Sequence, residues 1–292
     1  MSLFLGGSLS FTLVNGIRIH YHDLGKGKPL VFLHGLGGDS GVFYHQIKAF
    51  SRSFRCISLD LRGFGKSNPL DGIEGSLEIC TDDLRDTLLQ LEIGQKATLL
   101  GHSFGGMIAL QYTLTYPEDV ERLVIIDSTS EPNLIHSPLN KLVFLLPLIK
   151  PRWITPSLRR FYALKLTANY KCLSEELKGW LIKEADKTTD AEVKSIMRYA
   201  HEMFHWNVSN RLGQIKAPTL IFRGEKDILV KERAVEVLYK GIPDSYYIVI
   251  EKAGHCPLFE RAEVFNQVLG KFLRGESLER LPDGAYWRGG KR

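Results

Sequence analysis

The sequence predicts an α/β fold: a mostly parallel central sheet with helices on both faces, and an inserted all-helical segment. Three observations predict it. Short, largely apolar runs recur at Pro29–Leu33, Cys56–Leu59, Ala97–Leu100, Leu123–Ile126, Pro218–Phe222 and Tyr246–Ile250, as strands covered on both faces require. Stretches with helical spacing separate these runs, and strand–helix alternation builds a parallel sheet wrapped on both sides. From Ser130 to about Leu212 the strand-like runs stop and only helical periodicity remains. The chain is therefore expected to divide into a discontinuous core, 1–129 and 213–292, and a helical cap inserted at 130–212. Its 292 residues, 44% hydrophobic and 24% charged, are enough for a large core with such an insertion.

Taken in order, residues 8–23 alternate apolar and polar about Asn15-Gly16, so two antiparallel strands open the chain. The Pro29–Leu33 run ends in His34-Gly35-Leu36-Gly37-Gly38, a loop with wide backbone freedom. A helical segment near Val42–Phe50 leads to the Cys56–Leu59 strand, followed by a loop from Asp60 to Ser67. Leu84, Leu88 and Leu91 stand at i, i+4 and i+7 and mark an amphipathic helix. Ala97–Leu100 then turns through Gly101-His102-Ser103-Phe104-Gly105 into a small, apolar helix that must stop at Pro117. Within the insertion, Thr155-Pro156 starts a helix bearing Leu158, Phe161 and Tyr162, and Leu177, Trp180 and Leu181 mark a second. Thr189 with Glu192 makes a capping box before Val193, Ile196, Met197 and Ala200. After Pro218–Phe222, a helix around Lys231–Tyr239 and the Tyr246–Ile250 strand, a last helix sets Phe265, Val268, Leu269 and Phe272 on one face. The tail beyond Gly275 is polar, turns at Pro282-Asp283-Gly284, and predicts no element.

Composition narrows the function. A net charge of +5, evenly spread, does not indicate nucleic-acid binding. Cys56, Cys80, Cys172 and Cys256 have neither paired nor CxxC spacing, so no disulfide framework or zinc ribbon is expected. The first eight residues lack a basic stretch followed by a long apolar one, and no run of about 18 apolar residues exists. The expectation is a cytoplasmic protein with free thiols.

The turn at Ser103 carries the chemistry. A strand, Gly-x-Ser-x-Gly and a helix in succession form a turn so tight that flanking side chains do not fit, which strains the serine and exposes its hydroxyl. The positive end of the following helix faces any charge that develops beside it. A serine hydroxyl needs a base, and that base needs a carboxylate to orient it, both on loops after later strands. His255 directly follows the Tyr246–Ile250 strand, and Asp227 follows the strand before it. Asp127, at the end of the Leu123–Ile126 strand, is the rival acid. The backbone N–H groups of Phe104 and Leu36 are the candidate oxyanion donors.

These residues resemble the α/β-hydrolase superfamily, in its branch of small, cap-bearing esterases and relatives. The resemblance covers residues 8–129 and 213–273. It rests on Gly101-His102-Ser103-Phe104-Gly105-Gly106, His34-Gly35-Leu36-Gly37, Asp60-x-Arg62-Gly63-x-Gly65-x-Ser67 and Gly254-His255. It implies no cofactor and no metal, and a bracing rather than reacting role for Asp60–Ser67. The implied substrate is a small ester or acyl compound. Thioesters, carbon–carbon bonds and perhydrolysis run on the same residues, and a low-turnover receptor can keep the fold.

Two further patterns stand apart. His201-Glu202-Met203-Phe204-His205 matches H-E-x-x-H, but no third zinc ligand is apparent in the sequence. Between Glu131 and Glu175 there is no acidic residue, while Lys141, Lys150, Arg152, Arg159, Arg160, Lys165 and Lys171 alternate with Leu- and aromatic-rich stretches. That pattern gives two expectations: an apolar acyl pocket, and weak contact of the cap with anionic lipid surfaces.

Overall fold

The computed structural model describes residues 10–70, 75–131, 173 and 175–289. Nine strands form one sheet, in the order β1-β2-β4-β3-β5-β6-β7-β8-β9. They are β1 Ser10–Val14, β2 Ile17–Leu24, β3 Lys28–Leu33, β4 Phe54–Leu59, β5 Ala97–His102, β6 Val120–Ile126, β7 Thr219–Gly224, β8 Ser245–Ile250 and β9 Ala285–Gly289. The six strands from β4 to β8 in that order run parallel. The β1–β2 hairpin closes one end antiparallel, turning at Asn15 and Gly16, both at positive φ.

Each central strand is buried on both faces, and its alternate residues feed two cores. Val31, Leu99, Ile125, Ile221 and Val249 pack on one side. There they meet Leu84 of α2 (Leu77–Gln90), Ile108 of α3 (Phe104–Thr115) and Leu238 of α6 (Glu232–Gly241). Leu30, Leu100, Val124, Phe222 and Ile248 pack on the other. They meet Ile47 of α1 (Tyr44–Phe50), Leu258 of the short α7 (Pro257–Glu260), and Phe265 and Leu269 of α8 (Ala262–Arg274). Leu91, expected on α2, is its C-cap residue.

Between β6 and β7 in chain order, α4 (Glu175–Lys187) and α5 (Asp190–His205) are described, and α5 opens with the expected Thr189–Glu192 capping box. Tyr199 fastens α5 to the core: its ring lies 4.8 Å from that of Phe104 and 5.7 Å from that of Phe64, and its hydroxyl donates to the Arg62 carbonyl at 3.2 Å. The helix expected at Thr155-Pro156 and the basic, aromatic stretch around it lie outside the described residues. Among the described residues, no helix is long and apolar enough to cross a membrane.

The tail, in which the sequence carries no readable signal, holds a strand. This strand, β9, pairs antiparallel with β8 through Ala285↔Ile250, Tyr286↔Val249 and Trp287↔Ile248. Every residue of β9 stays partly exposed on this sheet edge, so no apolar alternation marks it in the sequence. α7 is likewise unheralded, being a single turn started by Pro257.

Candidate active site

From β3 the chain goes to β4 on one side and then crosses to β5 on the other, both parallel to β3, so the sheet has its switch point where β3 and β5 end. Ser103 sits there, between β5 and α3, at φ 51° and ψ −114°. A non-glycine residue holds that conformation only if its surroundings enforce it. Its N–H donates to the Ile126 carbonyl at 2.9 Å, and its own carbonyl accepts from Ser128 Oγ at 2.6 Å. The flanking glycines are required sterically: a Cβ on Gly101 would lie 2.3 Å from the Gly105 carbonyl oxygen, and one on Gly105 would lie 2.1 Å from that of Leu33. Ser103 is half-buried between the fully buried His102 and Phe104.

Asp227 and His255 come together on the loops after β7 and β8. His255 Nδ1 donates to Asp227 Oδ2 at 2.9 Å, with the two residues 5% and 6% exposed. This leaves Nε2 as the basic nitrogen of the neutral ring. Asp227 Oδ1 accepts from the N–H groups of Leu229 at 2.7 Å and Val230 at 3.2 Å. Burial pushes the Asp227 carboxyl up, but the facing His255 and the hydrogen bonds it receives hold it below the usual carboxylate range. β7 and β8 close on one another because Gly224 has no side chain; a Cβ there would lie 1.8 Å from the Gly254 oxygen. His102 Nε2 donates to the His255 carbonyl at 2.7 Å, and this ties the end of β8 to the end of β5. Among the described residues no hydrogen bond joins the Ser103 hydroxyl to His255, and such bonds tighten when substrate binds.

Asp127, the rival acid, does not take this place in the hydrogen bonding. It is completely buried just past β6 at φ 42°, and its two oxygens share the Gly224 N–H at 3.0 and 3.3 Å. A carboxylate oxygen of Asp127 lies within 4.8 Å of one of Asp227.

The loop after β3 lies against the serine: a Cβ on Gly35 would come 3.2 Å from Ser103 Cβ. The backbone N–H groups of Leu36 and Phe104 have no hydrogen-bond partner among the described residues, so both are free to bind an anion. His34 shapes this loop. Its Nδ1 donates to the Gly35 carbonyl at 2.8 Å and its Nε2 accepts from Leu61 N–H at 2.9 Å. Burial lowers its pKa, so the ring stays neutral and serves both bonds. The Asp60–Ser67 segment behind it is braced by buried pairs. Asp60 takes His20 Nδ1 at 2.9 Å and the N–H groups of Ser40 and Lys66 at 2.8 Å, and Arg62 grips Asp83 at 2.6 and 2.7 Å.

Two positioning residues escaped the sequence reading. Glu260, on α7, accepts the N–H groups of Gly254 at 2.9 Å and Cys256 at 3.0 Å, so it clamps both flanks of His255. Arg223 donates from Nη2 to the Asp227 carbonyl at 3.1 Å and from Nη1 to that of Glu225 at 3.3 Å. No motif marks either; each acts on backbone that only the folded loops bring to it. His201 and His205 share one face of α5, as H-E-x-x-H requires, but His205 Nδ1 bonds its own helix at the His201 carbonyl. Among the described residues, the three side chains whose metal-capable donors lie within 4.8 Å of one another are Asp127, Asp227 and His255.

Residues 28–262 match the family model described as the alpha/beta hydrolase fold. The chain belongs to the α/β-hydrolase family. Among its relatives in this family is a 2-hydroxy-6-oxononadienedioate/2-hydroxy-6-oxononatrienedioate hydrolase of Paraburkholderia phymatum. It is 31% identical over 88% of this chain and 91% of its own length. Lipase 1 of Psychrobacter immobilis is 28% identical over 86% of this chain and 79% of its own. A thermophilic esterase from Thermogutta terrifontis superposes with a TM-score of 0.79 at 25% identity, covering 91% of this chain and 97% of its own. The α/β-hydrolase membership makes the chain a hydrolase of this fold.

Proposed function

We propose that the chain is a serine hydrolase of carboxylic esters that works through an acyl-enzyme, with 130–212 as a helical cap over the site. The observation that carries this is the strained, half-buried Ser103, set between two unpartnered N–H groups, that of Leu36 on the loop after β3 and that of Phe104 at the start of α3. His102 beside it is bonded to His255 of the Asp227–His255 pair. Ser103 Oγ attacks the ester carbonyl while His255 Nε2 takes its proton. Asp227 keeps Nδ1 protonated and stabilises the imidazolium. The N–H groups of Leu36 and Phe104 receive the oxyanion, and His255 returns the proton to the leaving alcohol. Water then repeats the sequence on the acyl-enzyme. The loop's surroundings are apolar, with Leu36 packed on the core and Ile196 of α5 against Gly37, which favours an apolar acyl chain.

A second reading rests on several relatives named as hydrolases of 2-hydroxy-6-oxo dienoates or dienedioates. The Paraburkholderia phymatum hydrolase is named for a keto acid rather than an ester, and hydrolysis of that substrate breaks a carbon–carbon bond.

The test is a fluorophosphonate label followed by peptide mapping, together with a substrate panel of p-nitrophenyl acetate to octanoate and a 2-hydroxy-6-oxo-dienoate. Label on Ser103 alone and a Ser103→Ala loss of about 10⁴-fold are expected. Each added CH₂ the pocket buries should raise kcat/KM, since burial is worth about 0.8 kcal/mol. An adduct on another serine overturns the mechanism, and turnover of the dienoate with none of the esters selects the second reading.

A further inference from the structure

We propose that Asp127 is a positioning residue that keeps a proton and donates it in a hydrogen bond to the Asp227 carboxylate, making a chain Asp127–Asp227–His255 behind Ser103. This rests on the reading of Asp227 as the acid that orients His255. Nothing in the esterase mechanism above calls for a second carboxyl, yet the protein places one here under strain. Asp127 is entirely buried, sits at φ 42°, and is fixed by its N–H to the Phe222 carbonyl at 3.0 Å.

The geometry decides who holds the proton. One carboxylate oxygen each of Asp127 and Asp227 and a ring nitrogen of His255 all lie within 4.8 Å of one another, so the two buried carboxyls lie side by side. Two carboxylates in such contact cannot both be ionised in a buried site, so one proton lies between them. Asp227 already accepts from an imidazole N–H and two backbone N–H groups. Asp127 has the single N–H of Gly224, shared between its two oxygens. The negative charge therefore settles on Asp227 and the proton on Asp127. Burial, followed by the charge of Asp227, pushes the Asp127 carboxyl well above its ordinary value, against smaller downward pulls from the Gly224 N–H and then Arg223. The other titratable groups around it are His255, Cys256 and Tyr247 from the β8 side, and behind His255, whose carbonyl it holds, His102 at the end of β5. His102 is held neutral, with a pKa of about 3.

The consequence for catalysis has a definite sign. A neutral donor on Asp227 draws charge away from the oxygen that faces His255, which limits how basic the imidazole becomes. Without it the imidazole binds its proton more tightly, and the acid limb of the pH profile moves to higher pH. An ionised Asp127 would do the reverse, because its removal takes a negative charge away from the ring.

The experiment measures kcat/KM against pH with p-nitrophenyl butyrate. It compares wild type, Asp127→Asn, Asp127→Leu and Asp227→Asn, each corrected for the fraction that takes a fluorophosphonate label. Asparagine keeps a neutral N–H donor, so its acid limb should coincide with wild type and most of its activity should remain. Leucine has a similar shape and no donor. Its limb should move up by about 0.5–1 pH unit, the equivalent of one net hydrogen bond. Infrared difference spectra of wild type against Asp127→Asn should show the C=O stretch of a neutral carboxyl. Limbs that move down in both Asp127 variants, or stay put in both while activity falls, overturn the proposal. Asp227→Asn reports separately on the reading beneath it: if that variant stays active and Asp127→Asn is dead, the acid assignment itself has failed.

Discussion

Glu260 offers the sharpest test of how His255 is held. Its carboxylate accepts two backbone N–H groups, from Gly254 at 2.9 Å and Cys256 at 3.0 Å, one on each side of the histidine. Replacing it with alanine leaves both donors without this acceptor. Hydrogen bonds to a charged group are worth about 1.5–3 kcal/mol each when buried. Glu260 is half-buried and water can reach part of the gap, so the pair should contribute about 2 kcal/mol to stability rather than the full sum. The catalytic effect should exceed what that stability loss implies. His255 would remain tied only through Asp227 and through the His102 bond to its carbonyl, at 2.7 Å. A displacement of about 1 Å costs roughly 10²-fold in rate, so Glu260→Ala should lower kcat/KM on p-nitrophenyl butyrate by about 10- to 100-fold at a temperature where the variant is folded. Glu260→Gln keeps one acceptor oxygen and should fall between. Urea denaturation gives the stability change and pre-steady-state acylation gives the chemical one. A variant about 2 kcal/mol less stable with kcat/KM within twofold of wild type would refute the reasoning: the clamp would then be structural only.

Two further outcomes follow from the geometry. Gly105→Ala should unfold the elbow or cost several kcal/mol, since its Cβ would lie 2.1 Å from the Leu33 oxygen and 2.6 Å from that of His34, both backbone atoms that cannot step aside. Gly94→Ala, with nothing within 4 Å, serves as the control, and equal stability of the two variants would contradict the packing. Stability should also fall with acid well before the carboxylates titrate. Burial first, and then the charge of His255, lower His102 from 6.5 to about 3, and burial lowers His34 as well. The unfolded chain thus takes up protons below pH 6.5 that the native protein refuses. Their contribution is present above pH 6.5 and lost progressively toward pH 3, at up to about 1.4 kcal/mol per pH unit for each group. Urea midpoints between pH 7 and 4.5 should show this slope, and His102→Gln should flatten it by one group's share; an unchanged slope contradicts the assignment.

What the sequence determines by itself is what local pattern can encode. The doubly covered strands are legible because a strand buried on both faces must be continuously apolar, as Val31–Leu33 and Leu123–Ile126 are. The elbow is legible because no side chain fits at Gly101 or Gly105, and Asn15-Gly16 announces a turn that needs positive φ twice. Ser103, His255 and both candidate acids could be placed at strand ends on the same grounds. Tertiary structure alone shows which of the two aspartates the His255 ring bonds, because Asp127 and Asp227 each follow a strand and the sequence does not tell them apart. That choice depends on the register of β6, β7 and β8, and on Gly224 lying against the Gly254 carbonyl, none of which any window of sequence contains. The same holds for Glu260, whose bonds to the Gly254 and Cys256 N–H groups are with backbone and so leave no residue-type signature. It holds too for β9, which earns its place by hydrogen-bonding the edge of a sheet rather than by burying an apolar face.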